Sequence, residues 1–253
     1  MLQLPEDVKI LNKDGNRTVF EISPLMPGYG PTIVNPLRRI LLSSLEGSAV
    51  TSIKIEGVNH EFSSLAGVHE DVIQIILNVK KIKFHSYANE PVVATLNIKG
   101  ENDVLARDIK VTSDVEIINP DQHILTITDK KTAVSMELTI EKGIGYVPVE
   151  QRQKDKLPIG VLAIDAIFSP VKLVNFRIED IRVGQRIDYN RVILEIETNG
   201  SISPEAALKN ATDILIKHFN ILAAVKVPSV DEKQIGKKKN KKTKADNKEE
   251  AGG

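Results

Sequence analysis

The chain has 253 residues, 34 Lys and Arg against 34 Asp and Glu, no Cys, no Trp and 41% hydrophobic residues. At ~150 residues per domain this makes one or two domains with a real core, and it excludes disordered, collagenous and disulfide-scaffold classes. Without Cys there is no thiolate zinc site, iron–sulfur cluster or cysteine nucleophile, and the zero net charge conceals +5 over Lys233–Gly253 against −5 over residues 1–232.

The start, Met1 to Asp7, lacks the basic residues and apolar run of a signal peptide, and no window approaches ~18 uninterrupted apolar residues. A cytoplasmic protein with no membrane partner is expected. Arg17–Ile22 alternates like a strand, and Pro24, Pro27, Gly28 and Gly30 then break the chain. The spacing of Leu37, Ile40, Leu41 and Leu45 predicts a helix over Pro36–Glu46, with Thr32 or Asn35 as cap, Pro36 in the first turn and Gly47 at the end. A second helix is predicted from about His69 to Lys81, its acidic start and basic end complementing the dipole.

Val50–Ile55, Val92–Ile98, Ile124–Thr128 and Val134–Ile140 read as short strands of a largely antiparallel region. Phe176–Val183 and Val192–Thr198 read as a hairpin turning near Asp188–Asn190. The last helix opens at Ser203-Pro204-Glu205, with Ser as cap, and carries Leu208, Ala211, Ile214, Leu215, Phe219, Leu222 and Val225 on one stripe. At 1.5 Å per residue it spans roughly 33 Å. A stripe that long needs an equally long apolar partner, either a second copy of itself or the sheets of its own chain. After Pro228 the Lys-rich text predicts a disordered basic tail over 229–253.

No catalytic constellation is convincing. Gly143-Ile144-Gly145 begins like a phosphate loop, but Pro148 replaces the third glycine and no helix follows, so a turn or bulge is expected. The five His are scattered without metal-site spacing. Glu195 and Glu197 share one strand face, where they serve either as an acid/base pair or, more simply, as a wet face. Arg38 and Arg39 are about 100° apart around an apolar helix, so at least one points outward or at a partner. The Lys tract can neutralise phosphates but has no aromatic residue for base stacking.

Collinear motifs then carry a resemblance. Gly28-Tyr29-Gly30-Pro31-Thr32, Asn35-Pro36-Leu37-Arg38-Arg39-Ile40-Leu41-Leu42-Ser43-Ser44-Leu45, Gly57–Ser63 and Gly67–Val72 resemble the bacterial RNA polymerase alpha-subunit family. So do Gly143–Pro148, Leu157–Gly160, Ile164–Val171, Arg182–Arg186 and Glu197–Glu205, in the same order. The resemblance implies an α+β fold: a dimerisation domain from 1–49 and 172–228, with two helices on an antiparallel sheet, interrupted by a mostly β insert domain over 50–171. It departs at Pro36, where the family reads Ala, and after Pro228, where nothing resembles the family's C-terminal promoter-binding domain.

The resemblance also implies a role without chemistry. The chain is expected to homodimerise and to scaffold the beta and beta-prime subunits, with omega and sigma in the holoenzyme, as part of a nucleotidyltransferase. Arg38, Arg39 and Leu42 match the beta-facing helix, and Lys80 a large-subunit contact. Leu37, Ile40, Leu41, Leu208, Ala211, Leu215, Phe219 and Leu222 fall on the helices that cross the dimer mate. No metal or cofactor is expected in this chain, since the family's magnesium belongs to beta-prime and this sequence has no Asp-x-Asp triplet. DNA is reached through the complex, and weakly through the Lys tail. A bacterial, nucleoid-associated location is expected, with a plastid origin left open. Two other readings stand beside this one: a free-standing enzyme using Glu195 and Glu197, and an archaeal or eukaryotic counterpart of the fold, some of which carry an iron–sulfur insert that a Cys-free chain cannot hold.

Overall fold

The computed structural model describes residues 7–152, 158 and 160–225; the predicted tail over 229–253 lies outside them. In chain order the elements are β1 Val8–Asp14, β2 Arg17–Leu25, α1 Tyr29–Ser43, β3 Glu46–Ile55, α2 Val72–Val79, β4 Phe84–Ser86, β5 Val92–Lys99 and β6 Asn102–Leu105. They continue with β7 Val115–Ile117, β8 His123–Ile127, β9 Ala133–Ile144, β10 Tyr146–Val147, α3 Val149–Arg152, β11 Val161–Ala163, β12 Ala166–Ile167, β13 Val171–Val183, β14 Arg186–Thr198 and α4 Pro204–Ala223. The fold is α+β, and the named strand pairs are antiparallel.

Two sheets organise it. One runs β1-β2-β14-β13; the other runs β5-β9-β3-β4-β7, with β11 added against β3. Each has its own apolar core. Phe20, Leu25, Val34, Leu37, Leu41, Val192, Leu194 and Ala211 belong to the first, while Ile53, Ile75, Phe84, Leu96, Leu125, Met136 and Leu138 belong to the second. The chain passes from the first core to the second along β3 and returns at β12 and β13.

Three local expectations are corrected. Helix α1 begins at Tyr29, not near Pro36, so Pro36 lies inside it and the Thr32 carbonyl loses its usual donor. Burial of Gly30, Val34, Leu37 and Leu41 along one face offsets that loss. The helix stops at Ser43, and Gly47 belongs to β3, directly opposite Gly143 of β9. A Cβ on Gly47 would collide with the Phe168 carbonyl, and one on Gly143 would stand 2.6 Å from the Phe168 ring. These two glycines therefore make room for a buried phenylalanine at the junction of the cores, which also explains the Gly143-Ile144-Gly145 text as a strand end rather than a nucleotide loop.

The hairpin turns at Gly184-Gln185 rather than at Asp188–Asn190, because Val183 pairs with Arg186 and Gly184 supplies the left-handed φ of 62°. Helix α2 is shorter than predicted. Asp71 caps it by accepting from the Gln74 N–H at 2.7 Å, and Glu70 lies outside it.

Candidate assembly interface

Helix α1 is positioned by a cap from a distant strand. Gly28, before its first residue, has no side chain, and the free amides of Gly28 and Gly30 donate to Asn190 Oδ1 at 3.0 and 3.3 Å. Asn190 Nδ2 donates in turn to Asp180 at 3.0 Å, so the start of α1 is tied to both strands of the hairpin. Local periodicity carries no signal of this cap, since Asn190 lies 162 residues from Gly28.

The stripe on α1 divides. Leu37 and Leu41 are 5% and 0% exposed in the chain's own core, and Ala211 of α4 is 0% exposed. These three of the expected dimer-interface residues therefore lie within the chain's own core. Ile40 is half-buried. Arg38 Nε donates to the Val174 carbonyl of edge strand β13 at 3.2 Å, so it holds α1 to its own sheet. Arg39 and Leu42 are exposed, and among the described residues the Arg39 guanidinium makes no hydrogen bond or ion pair. Arg39, not Arg38, is the free donor fork on this face.

Helix α4 is docked at its start and bare at its end. Ala206 N–H donates to Ser203 Oγ at 3.2 Å, giving the predicted cap, and Glu205 meets Lys13 at 2.8 Å and the Thr18 hydroxyl at 3.5 Å. That ion pair holds the Glu205 carboxyl below its usual range. Leu208 and Leu215 are partly buried against the first core. From there on, Ile216, Phe219, Ile221, Leu222 and Val225 are 50–72% exposed. Burial of Ala207 and Ala211 lets the helix start lie close to the sheet, whereas the larger side chains that follow are left open.

A third face surrounds the end of α2. Lys80 Nζ lies 3.4 Å from Asp165, whose other oxygen accepts from the Val149 N–H at 3.1 Å. The Val149 amide, against the opposing effect of burial and helped by Lys80, holds the Asp165 carboxyl below the usual range. Glu70, read from sequence as a helix-end charge, is 7% exposed and buttresses the loop ahead of α2. It accepts from the Thr126 N–H at 2.7 Å and faces His123 Nε2 at 2.9 Å. Burial pushes its carboxyl up, but the Thr126 amide and His123 outweigh that and hold it low.

The proposed acid/base pair is otherwise engaged. Glu195 pairs with Arg17, and Glu197 lies 4.0 Å from Lys172, on the face of the β1-β2-β14-β13 sheet that also carries Glu21, Glu179 and Arg191. Two carboxylates committed to cations form a paired wet face rather than an acid and a base. Among the described residues no group of three or more His, Asp or Glu is placed to hold a metal ion, and no helix is long and apolar enough to cross a membrane.

The chain is thus antiparallel α+β with two apolar cores, and it exposes Arg39 and Leu42 on α1 and Phe219 and Leu222 on α4. Residues 53–169 match the family described as RNA polymerase Rpb3/RpoA insert domain. DNA-directed RNA polymerase subunit alpha of Roseiflexus sp. (strain RS-1) is 48% identical over 216 residues, 85% of this chain and 66% of that protein. The same subunit of Symbiobacterium thermophilum is also 48% identical over 216 residues, and that of Alkaliphilus oremlandii 47% over 215, each with 85% of this chain and 68% of the relative covered. The chain belongs to the DNA-directed RNA polymerase alpha-subunit family, and it spans 66–68% of the length of these relatives.

Proposed function

We propose that this chain is the non-catalytic assembly subunit of a cytoplasmic, bacterial DNA-directed RNA polymerase. It homodimerises and carries the beta and beta-prime subunits, joined by omega and sigma, for DNA-templated RNA synthesis. The observation that carries this reading is the bare stripe of Phe219, Leu222 and Val225, continuing a line of Leu208 and Leu215 that packs half-buried against the chain's own core. Exposed apolar surface of that kind mark association sites. Half-buried Ile40, Leu208 and Leu215 complete the dimer contact on this reading, while Arg39, Leu42 and Lys80 face the large subunits.

The two separate cores support a division into a dimerisation domain, 1–49 with 172–228, and an insert domain, 50–171. Phosphoryl-transfer chemistry and its magnesium belong to beta-prime on this reading, and this chain supplies geometry. The Lys-rich tail adds a nonspecific, salt-sensitive hold on DNA.

Light scattering of the purified chain at micromolar concentration should give the mass of a dimer, and co-expression should recover beta, then beta-prime, on the tagged chain. A monomer, or beta left unbound, sinks the reading. Deleting 233–253 should weaken DNA binding by the assembled enzyme and flatten its salt dependence; unchanged binding removes the tail's role.

A further inference from the structure

A recess opens between β3, the end of α2 and β12, and Ser48, Lys80, Ile82, Lys83, Asp165 and Ile167 line it. Its charges are unevenly satisfied. Asp165 is taken by Lys80 and by the Val149 N–H, and Ser48 Oγ accepts from the Ser86 N–H at 3.1 Å. Lys83 is different. Its backbone is fixed on both sides, donating to Asn119 Oδ1 at 2.6 Å and accepting from the Ile118 N–H at 2.9 Å. Its ammonium, on a half-buried side chain, makes no ion pair or hydrogen bond among the described residues.

A lysine on a four-carbon stem ordinarily carries its charge out to water, and a desolvated ammonium costs free energy unless an anion meets it. Here the charge that acts on it is a like one, the ammonium of Lys172. Burial first, and then Lys172, hold the Lys83 ammonium below the ordinary lysine range, while Lys172 itself lies 4.0 Å from Glu197. Ile167 of the lining is 51% exposed, and Tyr146, directly opposite it on β10, is 58% exposed with its hydroxyl turned to Asp165.

We propose that this recess receives a carboxylate from an acidic segment of a large polymerase subunit, with Lys83 as its counter-ion and Ile167 and Tyr146 packing on the flanking residues. The inference rests on the assembly reading above and adds a residue and a chemistry to it. One unmatched cation in the lining with the exposed Ile167 side chain beside it resembles the plan of a protein contact, a desolvated centre with a specific charge. A nucleic-acid backbone instead needs rows of uncommitted cations, and Lys80 and Lys172 already have carboxylates beside them.

The test uses the full chain with both large subunits. Carbodiimide coupling, which joins an amine to a carboxylate in contact with loss of water, should link Lys83 to an Asp or Glu of a large subunit. Lys83→Met should weaken association about tenfold and flatten its salt dependence, Lys83→Arg should restore most of it, and thermal unfolding and dimer mass should stay unchanged in both. If the wild-type chain assembles but Lys83→Met binds equally well with the same salt dependence, the recess proposal falls and the assembly reading stands. A link only to Glu249 or Glu250 of the same chain also overturns it. Failure of the wild-type chain to bind either large subunit removes both.

Discussion

The two cores differ in how completely they close. Of the twelve largest fully buried side chains among the described residues, ten, from Ile53 to Ile140, lie in the core of residues 50–164, and only Leu41 and Leu194 lie in the other. The first core, by contrast, uses Ala207 and Ala211 where α4 meets the sheet, and α4 then continues into exposed Phe219 and Leu222. One core is finished by its own chain; the other ends in a helix whose apolar stripe outruns the surface available to cover it. The chain buries what it can alone and exposes what a second copy or partner can bury.

The sharpest way to test that contrast is to damage each core in turn. Leu138→Ala, at a site 0% exposed, should cost about 2–5 kcal/mol in denaturant unfolding and be independent of protein concentration. Phe219→Asp with Leu222→Asp should weaken the dimer by at least about a hundredfold, seen as monomer in light scattering while the circular dichroism of the fold persists. A dimer of unchanged affinity would break the comparison, because the bare end of α4 would then be dispensable.

Smaller changes probe how the cores are joined and held. Gly143→Ala should destabilise by about 1–3 kcal/mol, because the new methyl meets the Phe168 ring at 2.6 Å at the junction. Ser203→Ala should cost about 1 kcal/mol and loosen the start of α4 alone, which hydrogen exchange on Ala206 and Ala207 will report.

The gentlest is a pH effect on the finished core. The Glu70 carboxyl lies below its ordinary 4.5 in the folded chain, so its contribution is full above that value and is lost as pH falls through the lower folded one. Unfolding midpoints should therefore drop as the solution is acidified below about pH 4.5, and drop less steeply in Glu70→Gln. Equal slopes would show that the Thr126 and His123 contacts do not bind the charged form preferentially.

Much of the fold was legible in the chain. Alternation marked β3, β5, β8, β9 and the β13–β14 hairpin, and Ser203-Pro204-Glu205 marked the start of α4, because side-chain period and cap chemistry are local properties. The start of α1 was not legible: a proline inside an apolar run reads as a boundary, and the cap that permits an earlier start comes from Asn190 on a strand far along the chain. The split of the arginine pair was half legible, since geometry required one to leave the stripe but could not say that Arg38 would hold Val174 and leave Arg39 free.

By itself the sequence determined the element types, the absence of thiol chemistry and, through its collinear motifs, the family. Tertiary structure decided which apolar residues serve the chain's own core and which remain exposed. A helical stripe such as Leu37, Leu41, Leu208, Ala211, Phe219 and Leu222 has the same period whatever covers it, and only packing buries Leu37, Leu41 and Ala211 while leaving Phe219 and Leu222 bare. The same holds for charge: Lys80 and Lys83 are alike in the chain, and only the fold pairs one with Asp165 and leaves the other half-buried and unmatched among the described residues.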